Sequence, residues 1–121
     1  MTPILIVLTL LLVKHYLADF VLQRPYHYLN KGNYGHWGGI QHAAIHGLGT
    51  FICIVGYTDP ATALHLAFAD FVIHYHVDWA KVRIGHRYGL TQQQPQYWWL
   101  FGLDQLLHCL TYVWIVFIIS T

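Results

Sequence analysis

Residues 3–22 read PILIVLTLLLVKHYLADFVL, and this stretch decides the fold. Leu, Ile and Val, broken only by Thr9, run from Ile4 to Val13 and resume past Lys14, His15 and Asp19 to Leu22. Roughly 20 such residues are what a helix needs to cross about 30 Å of hydrocarbon. The apolar side chains go all the way round, unlike the single stripe of a soluble amphipathic helix. Three further segments share this character: Ile40 to Tyr57, Ala61 to Ala80 and Tyr97 to Ser120. Between them lie breaking sequences: Gln23-Arg24-Pro25, the Gly-rich Lys31 to Gly39 stretch, Tyr57-Thr58-Asp59-Pro60, and Thr91 to Gln96 with Pro95. The expectation is an all-α fold: a single integral-membrane domain over residues 1–121, an up-and-down four-helix transmembrane bundle with helices at about 3–22, 40–57, 61–80 and 97–120.

Composition agrees. The 121 residues are 56% hydrophobic and 9% charged, with no glutamate, whereas a soluble surface wants about 25–35% charged residues. A soluble monomer and a disordered chain are both excluded on this ground. A net charge of +1 offers no basic field for nucleic acid, so that partner class is set aside. The partners left are the lipid bilayer and a second copy of the chain in a homo-oligomer. No basic residue precedes the first apolar run and no small-x-small cleavage site follows it, so a retained first helix is expected rather than a signal peptide.

Loop charge orients the bundle. Arg24 and Lys31 follow helix 1, and Lys81, Arg83 and Arg87 follow helix 3, while the intervening connection carries only Asp59. The positive-inside rule puts the basic loops in the cytoplasm and both termini on the non-cytoplasmic side of a multi-pass inner (cytoplasmic) membrane protein. Trp37, Trp79, Tyr97, Trp98 and Trp99 gather at the basic side as an interfacial belt.

The polar residues inside the spans are almost all His and Asp, and they come in pairs. His15/Asp19, His42/His46, His74/Asp78 and Asp104/His108 are each spaced i, i+4, one pair per span, and Asp70 adds a fifth pair with His74. That spacing puts both members on one helix face. Random placement would yield about two such pairs. At about 1.5 Å per residue, all four pairs lie roughly 3–16 Å below the cytoplasmic end of their helix, so four faces meet at one level. Ionised carboxylates in hydrocarbon must pair, line water or bind something. Imidazole and carboxylate are ligands for zinc and its first-row neighbours, and bundle cores are an established setting for such sites. His15, Asp19, His42, His46, His74, Asp78, Asp104 and His108 are therefore the expected metal ligands, and eight are more than one tetrahedral ion can use.

The remaining candidates are weaker. His76 points off the His74/Asp78 face, His65 has no partner, and His27, His36 and His86 are expected at surfaces or interfaces. His36 and Gln41 stand near where a cavity mouth would open. Lys14 is expected to snorkel or to pair an aspartate. Cys53 and Cys109 read as free thiols acting as small hydrophobes.

His15-Tyr16-Leu17-Ala18-Asp19-Phe20-Val21-Leu22-Gln23, with the His42/His46 pair, His74-x-x-x-Asp78 and Asp104-Gln105-x-x-His108, resembles the motif set of a family of small bacterial and phage membrane proteins known only as a domain of unknown function. A more distant likeness is to bacterial membrane-bound metal-dependent hydrolases, and it implies metal-dependent hydrolysis.

The functional expectation is an integral-membrane protein holding one or two Zn2+ ions, or another divalent first-row metal, that hydrolyses a lipidic or membrane-partitioned substrate with metal-activated water. Asp19 or Asp104 is the expected general base, and Gln23 and Gln105 the substrate-orienting residues. The alternatives are a haem-binding or proton/ion-transfer membrane protein, and a structural membrane protein whose His/Asp network serves packing.

Overall fold

All four prolines of the chain stand at the first position of a helix, where a missing N–H costs nothing and a fixed φ favours the first turn. In the computed structural model, which describes residues 2–121, these starts organise five helices and the turns between them, with no strand among the described residues. Helix α1 covers Pro3–Tyr16 and continues as a π-helical turn over Leu17–Val21. The short α2 is Pro25–Tyr28, α3 is Trp37–Ile54, α4 is Pro60–Arg87 and α5 is Pro95–Ser120.

The caps follow from local chemistry. Thr2 Oγ1 accepts the Leu5 N–H at 3.4 Å, and Asp59 Oδ1 accepts the Thr62 N–H at 2.9 Å, a bond that holds the Asp59 carboxyl below its usual range. His36 caps α3 by accepting the Gly38 N–H on Nδ1, 3.0 Å. The π turn closes with Leu22 N–H to Leu17 O at 2.8 Å, and Gln23 Nε2 donates to the Asp19 carbonyl at 2.8 Å.

Helix α4 is longer than the expected 61–80. Apolarity ends near Ala80, but Gly85 keeps a helical backbone and no proline or positive-φ residue occurs before Gly89, which takes φ +59° just past the helix end. His86 and Arg87 in the last turn also complement the helix dipole. Helix α2 was not legible as a helix, being one turn of Pro-Tyr-His-Tyr within a connection.

The four long helices form a ring in which α1 touches α3 and α5, and α4 touches α3 and α5. Its interior changes character along the axis. The half nearer the chain ends holds Val7, Leu11, Ile54, Leu66, Tyr112 and Ile115. The other half is filled with His and Asp. The buried set contains more polar side chains than apolar ones, while Leu12, Phe20, Leu48, Phe68, Leu106 and Phe117 lie exposed on the outside. Water-soluble folds do the reverse.

Two helical stretches, Pro3–Val21 and Pro95–Ser120, are long and apolar enough to cross a membrane, with mean hydropathies of 2.0 and 1.6. Helices α3 and α4 fall short of that measure because they turn His42, His46, Asp70, His74 and Asp78 into the bundle.

Candidate metal centre

The i, i+4 ladders deliver their side chains to one place. His15, Asp19, His42, His46, His74, Asp78, Asp104 and His108 are all buried, none more than 9% exposed. Close approach of α3 to α4 depends on Gly47, where a Cβ would lie 3.0 Å from Phe71 Cβ and 3.1 Å from Ala67 O. That approach stacks the rings of His46 and His74 at 3.6 Å between centroids, and His108 stacks on the far side of His74 at 4.0 Å.

Five imidazoles present Nε2 to carboxylate oxygens. Asp19 Oδ1 lies 2.7 Å from His46 Nε2, 3.1 Å from His42 Nε2 and 3.9 Å from His74 Nε2. Its Oδ2 lies 3.2 Å from His15 Nε2. Asp78 Oδ2 is 3.3 Å from both His42 Nε2 and His74 Nε2, and Asp78 Oδ1 is 3.2 Å from His108 Nε2. His42 Nε2 and His74 Nε2 are themselves 3.2 Å apart.

These spacings suit a cation. Ligands at about 2.0–2.1 Å on a tetrahedral ion are about 3.3 Å from one another, and the observed separations of 2.7 to 3.9 Å straddle that edge length. Two ligand groups have this geometry: Asp19, His42, His46 and His74, and a second of His74, Asp78 and His108. They share His74, and one Nε2 lone pair serves one ion at a time. Buried His/Asp clusters that could hold a metal ion are thus part of the fold.

His15 and Asp104 flank these groups rather than joining them. His15 Nδ1 lies 2.8 Å from Tyr112 Oη and its Nε2 2.8 Å from Gln105 Oε1. Asp104 Oδ1 is 3.3 Å from His108 Nε2 yet has no hydrogen-bond partner, and such a buried acceptor calls for a water or an ion. Gln105, half-buried, donates to Asp104 Oδ2 at 3.0 Å and reaches Asp19 Oδ2 at 3.5 Å. Gln23 accepts from Lys31 Nζ at 3.0 Å.

Lysines complete the electrostatics. Lys14 Nζ is 3.3 Å from Asp70 Oδ2, Lys31 Nζ 3.2 Å from Asp78 Oδ2, and Lys81 Nζ 3.7 Å from Asp104 Oδ2. Each of these aspartates has a fixed cation beside it. Asp19 has only imidazoles and an amide. Below the centre, Thr50 Oγ1 donates to Asp70 Oδ2 at 2.6 Å, and Lys14 Nζ donates to Tyr112 Oη at 3.1 Å and lies 3.3 Å from His46 Nδ1.

Of the weaker candidates, Lys14 pairs an aspartate. His76 sits off the face, with Nε2 2.9 Å from Tyr34 Oη and Nδ1 bonded to its own helix at Val72 O. His65 is exposed and bonds Ala61 O. His27, expected at a surface, is buried instead: its Nδ1 accepts the Arg24 N–H at 3.1 Å, its ring packs 6.0 Å from His42, and burial lowers its pKa. Both cysteines are free and partly buried.

Thr50, Tyr112 and Lys31 also belong to this polar core and were not expected there, and Asp70, expected in a pair with His74, was not counted among the ligands. A signal existed for three of them: 42/46/50, 70/74/78 and 104/108/112 are unbroken i, i+4 ladders, each carried one turn beyond the pair first singled out. Lys31 reaches in from a connection and has no such signature.

No curated protein and no solved structure matches this chain. A family model does, over residues 7–121, taking in every one of the paired His and Asp positions, and the chain belongs to the family described as "Protein of unknown function (DUF3307)".

Proposed function

We propose that the protein is a multi-pass inner-membrane protein in which α1, α3, α4 and α5 all span the bilayer and enclose a divalent metal centre, zinc by its ligand chemistry. The observation that carries this reading is the convergence of imidazole Nε2 atoms from α3 and α4 on Asp19 Oδ1 and Asp78 Oδ2 at tetrahedral-edge spacing. The inverted burial pattern, with ionisable groups inside and large apolar groups outside, supports embedding all four long helices.

Asp19, His42, His46 and His74 form the primary ligand set. Of the three histidines His74 lies farthest from Asp19, and it also belongs to the second group with Asp78 and His108, so its turning to Asp78 would leave Asp19, His42 and His46 to hold the ion, a three-ligand set of the catalytic rather than the structural kind. A metal so held activates water and polarises a carbonyl or phosphoryl oxygen, which makes hydrolysis of a membrane-partitioned substrate the favoured reaction. In this reading Asp19 is a ligand, Asp104 with its unpaired Oδ1 is the general base, and Gln105 orients the substrate from the half-exposed side. The unbroken run of polar contacts from Lys31 through Asp78, His42, Asp19 and His46 to Lys14 favours proton transfer as a second reading.

The test is elemental analysis with a visible spectrum on protein purified in detergent without chelator. A transition metal near one equivalent and no Soret band is expected. A Soret band indicates haem, and less than half an equivalent of any transition metal removes the metal reading and leaves proton transfer.

A further inference from the structure

The last turns of α4 carry positive charge that no carboxylate among the described residues pairs. Trp79, Arg83 and Arg87 follow one another at i, i+4, and with Ile84 and His86 they line a cleft of about 740 Å3. Neither guanidinium has a carboxylate partner among the described residues. The buried aspartates are held by Lys14, Lys31, Lys81 and the imidazoles, and Asp59 caps the opposite end of α4. Arg87 has only the Tyr88 ring, 5.9 Å away.

Beside this cleft, and sharing Ile84 with it, runs an apolar groove of about 250 Å3 between α4 and α5. Val77, Ala80, Leu100, Leu103 and Leu107 form its walls. Its floor is Lys81 and Asp104, whose Nζ and Oδ2 lie 3.7 Å apart. Exposed Trp98 and Trp99 stand at the start of α5, where an interfacial belt belongs. A cationic cleft continuous with an apolar groove fits a molecule that is anionic at one end and apolar at the other. Arg binds phosphate oxygens through a planar fork of donors, and two such forks without a carboxylate partner suit a phosphate. The groove needs a chain, which free phosphate lacks.

We propose that this composite surface binds an anionic glycerophospholipid, its phosphate on Arg83 and Arg87 and an acyl chain in the α4–α5 groove over Asp104. The inference rests on the membrane reading above and names the substrate class that would meet the centre from the α5 side. Binding itself needs no metal.

The test uses detergent-solubilised full-length protein, followed by native mass spectrometry and thermal unfolding. It is titrated with phosphatidylglycerol, with phosphatidylcholine of the same chains, and with glycerol 3-phosphate. Phosphatidylglycerol is expected to bind saturably and raise Tm, phosphatidylcholine to need at least about tenfold more lipid, and glycerol 3-phosphate to do neither. Arg83→Gln/Arg87→Gln should remove the preference for the anionic lipid. Leu103→Trp, at a half-exposed site in the groove wall, should weaken binding of the lipid by about tenfold with the cleft intact. Both variants should keep the wild-type metal content, which separates failure of this proposal from failure of the metal centre. Equal binding of the two lipids, competition by glycerol 3-phosphate at the same concentration, or an unchanged preference in the double Arg variant overturns it.

Discussion

His46 and His74 stack at 3.6 Å with 21° between their ring planes, because Gly47 next to the contact has no side chain to hold α3 away from α4. Gly47→Ala sets two effects against each other. Alanine gains about 0.5–1 kcal/mol in a helix interior, while overpacking against Phe71 and Ala67 costs about 1–3 kcal/mol. The backbone carbonyl of Ala67 cannot move aside cheaply, so the loss dominates. Gly47→Ala is expected to unfold at lower temperature in detergent and to bind metal more weakly, as equilibrium dialysis would show. A variant more stable than wild type would mean that the helices have slack at this crossing.

Lys14 and Asp70 are a buried ion pair with Thr50 as the third member. Lys14→Met leaves Asp70 with one hydroxyl donor, and stranding a buried charge costs about 3–5 kcal/mol. Thr50→Val removes one hydrogen bond to a charged group, about 1.5–3 kcal/mol. Lys14→Met/Asp70→Leu removes both charges and is expected to regain much of the loss of the single lysine variant. Denaturant titration in mixed micelles checks the order. Strict additivity of the two single changes would show the pair to be uncoupled.

The four long helices and the meeting of their paired His and Asp side chains were legible for the same reason: one polar pair per apolar span leaves a pattern in the chain that survives without coordinates. His15/Asp19 and Asp104/His108 announce themselves against runs of Leu and Ile. What stayed hidden was whatever depends on reach. Lys31 lies in a Gly-rich connection, and only the turn through α2 brings its Nζ to Asp78. Tyr112 reads as one more aromatic of an apolar helix until its hydroxyl is seen beside His15 and Lys14. The end of α4 differs from the expectation because hydrophobicity stops at Ala80 whereas the helix runs on through Gly85, without a proline or a positive-φ residue, until Gly89.

Arg24, Arg83 and Arg87 lie at the end of the bundle opposite Asp59, and Lys31 and Lys81 are spent partly on internal aspartates. In the membrane reading proposed above the remaining arginines orient the bundle, so a reporter fused after Thr121 is expected on the non-cytoplasmic side. Alkaline phosphatase fused there should be active and green fluorescent protein dark. The opposite pattern would reverse the assignment and put the centre in the outer half of the bilayer.

The last prediction couples metal to fold. Four buried aspartates face three buried or partly buried lysines, and the unmatched carboxylate is Asp19, the one enclosed by His15, His42 and His46. An unpaired carboxylate in a low-dielectric bundle costs several kcal/mol. A dication at Asp19 cancels that charge, whereas a second dication beside Asp78 adds to a region where Lys31 already stands at 3.2 Å. About one tightly held equivalent is therefore expected, with any second ion weaker. An ion at about 100 times its Kd adds about 2.7 kcal/mol to stability. His46→Ala and His74→Ala should lose the ion and melt lower than wild type, while His65→Ala, whose exposed ring bonds only its own helix, should do neither. Chelator should lower the wild-type Tm towards that of the two site variants and leave theirs nearly unchanged. Asp78→Asn should retain the tight equivalent and Asp19→Asn should not. If Asp19→Asn holds metal as well as wild type does, the ion sits with Asp78 and His108 and the charge argument for Asp19 is wrong.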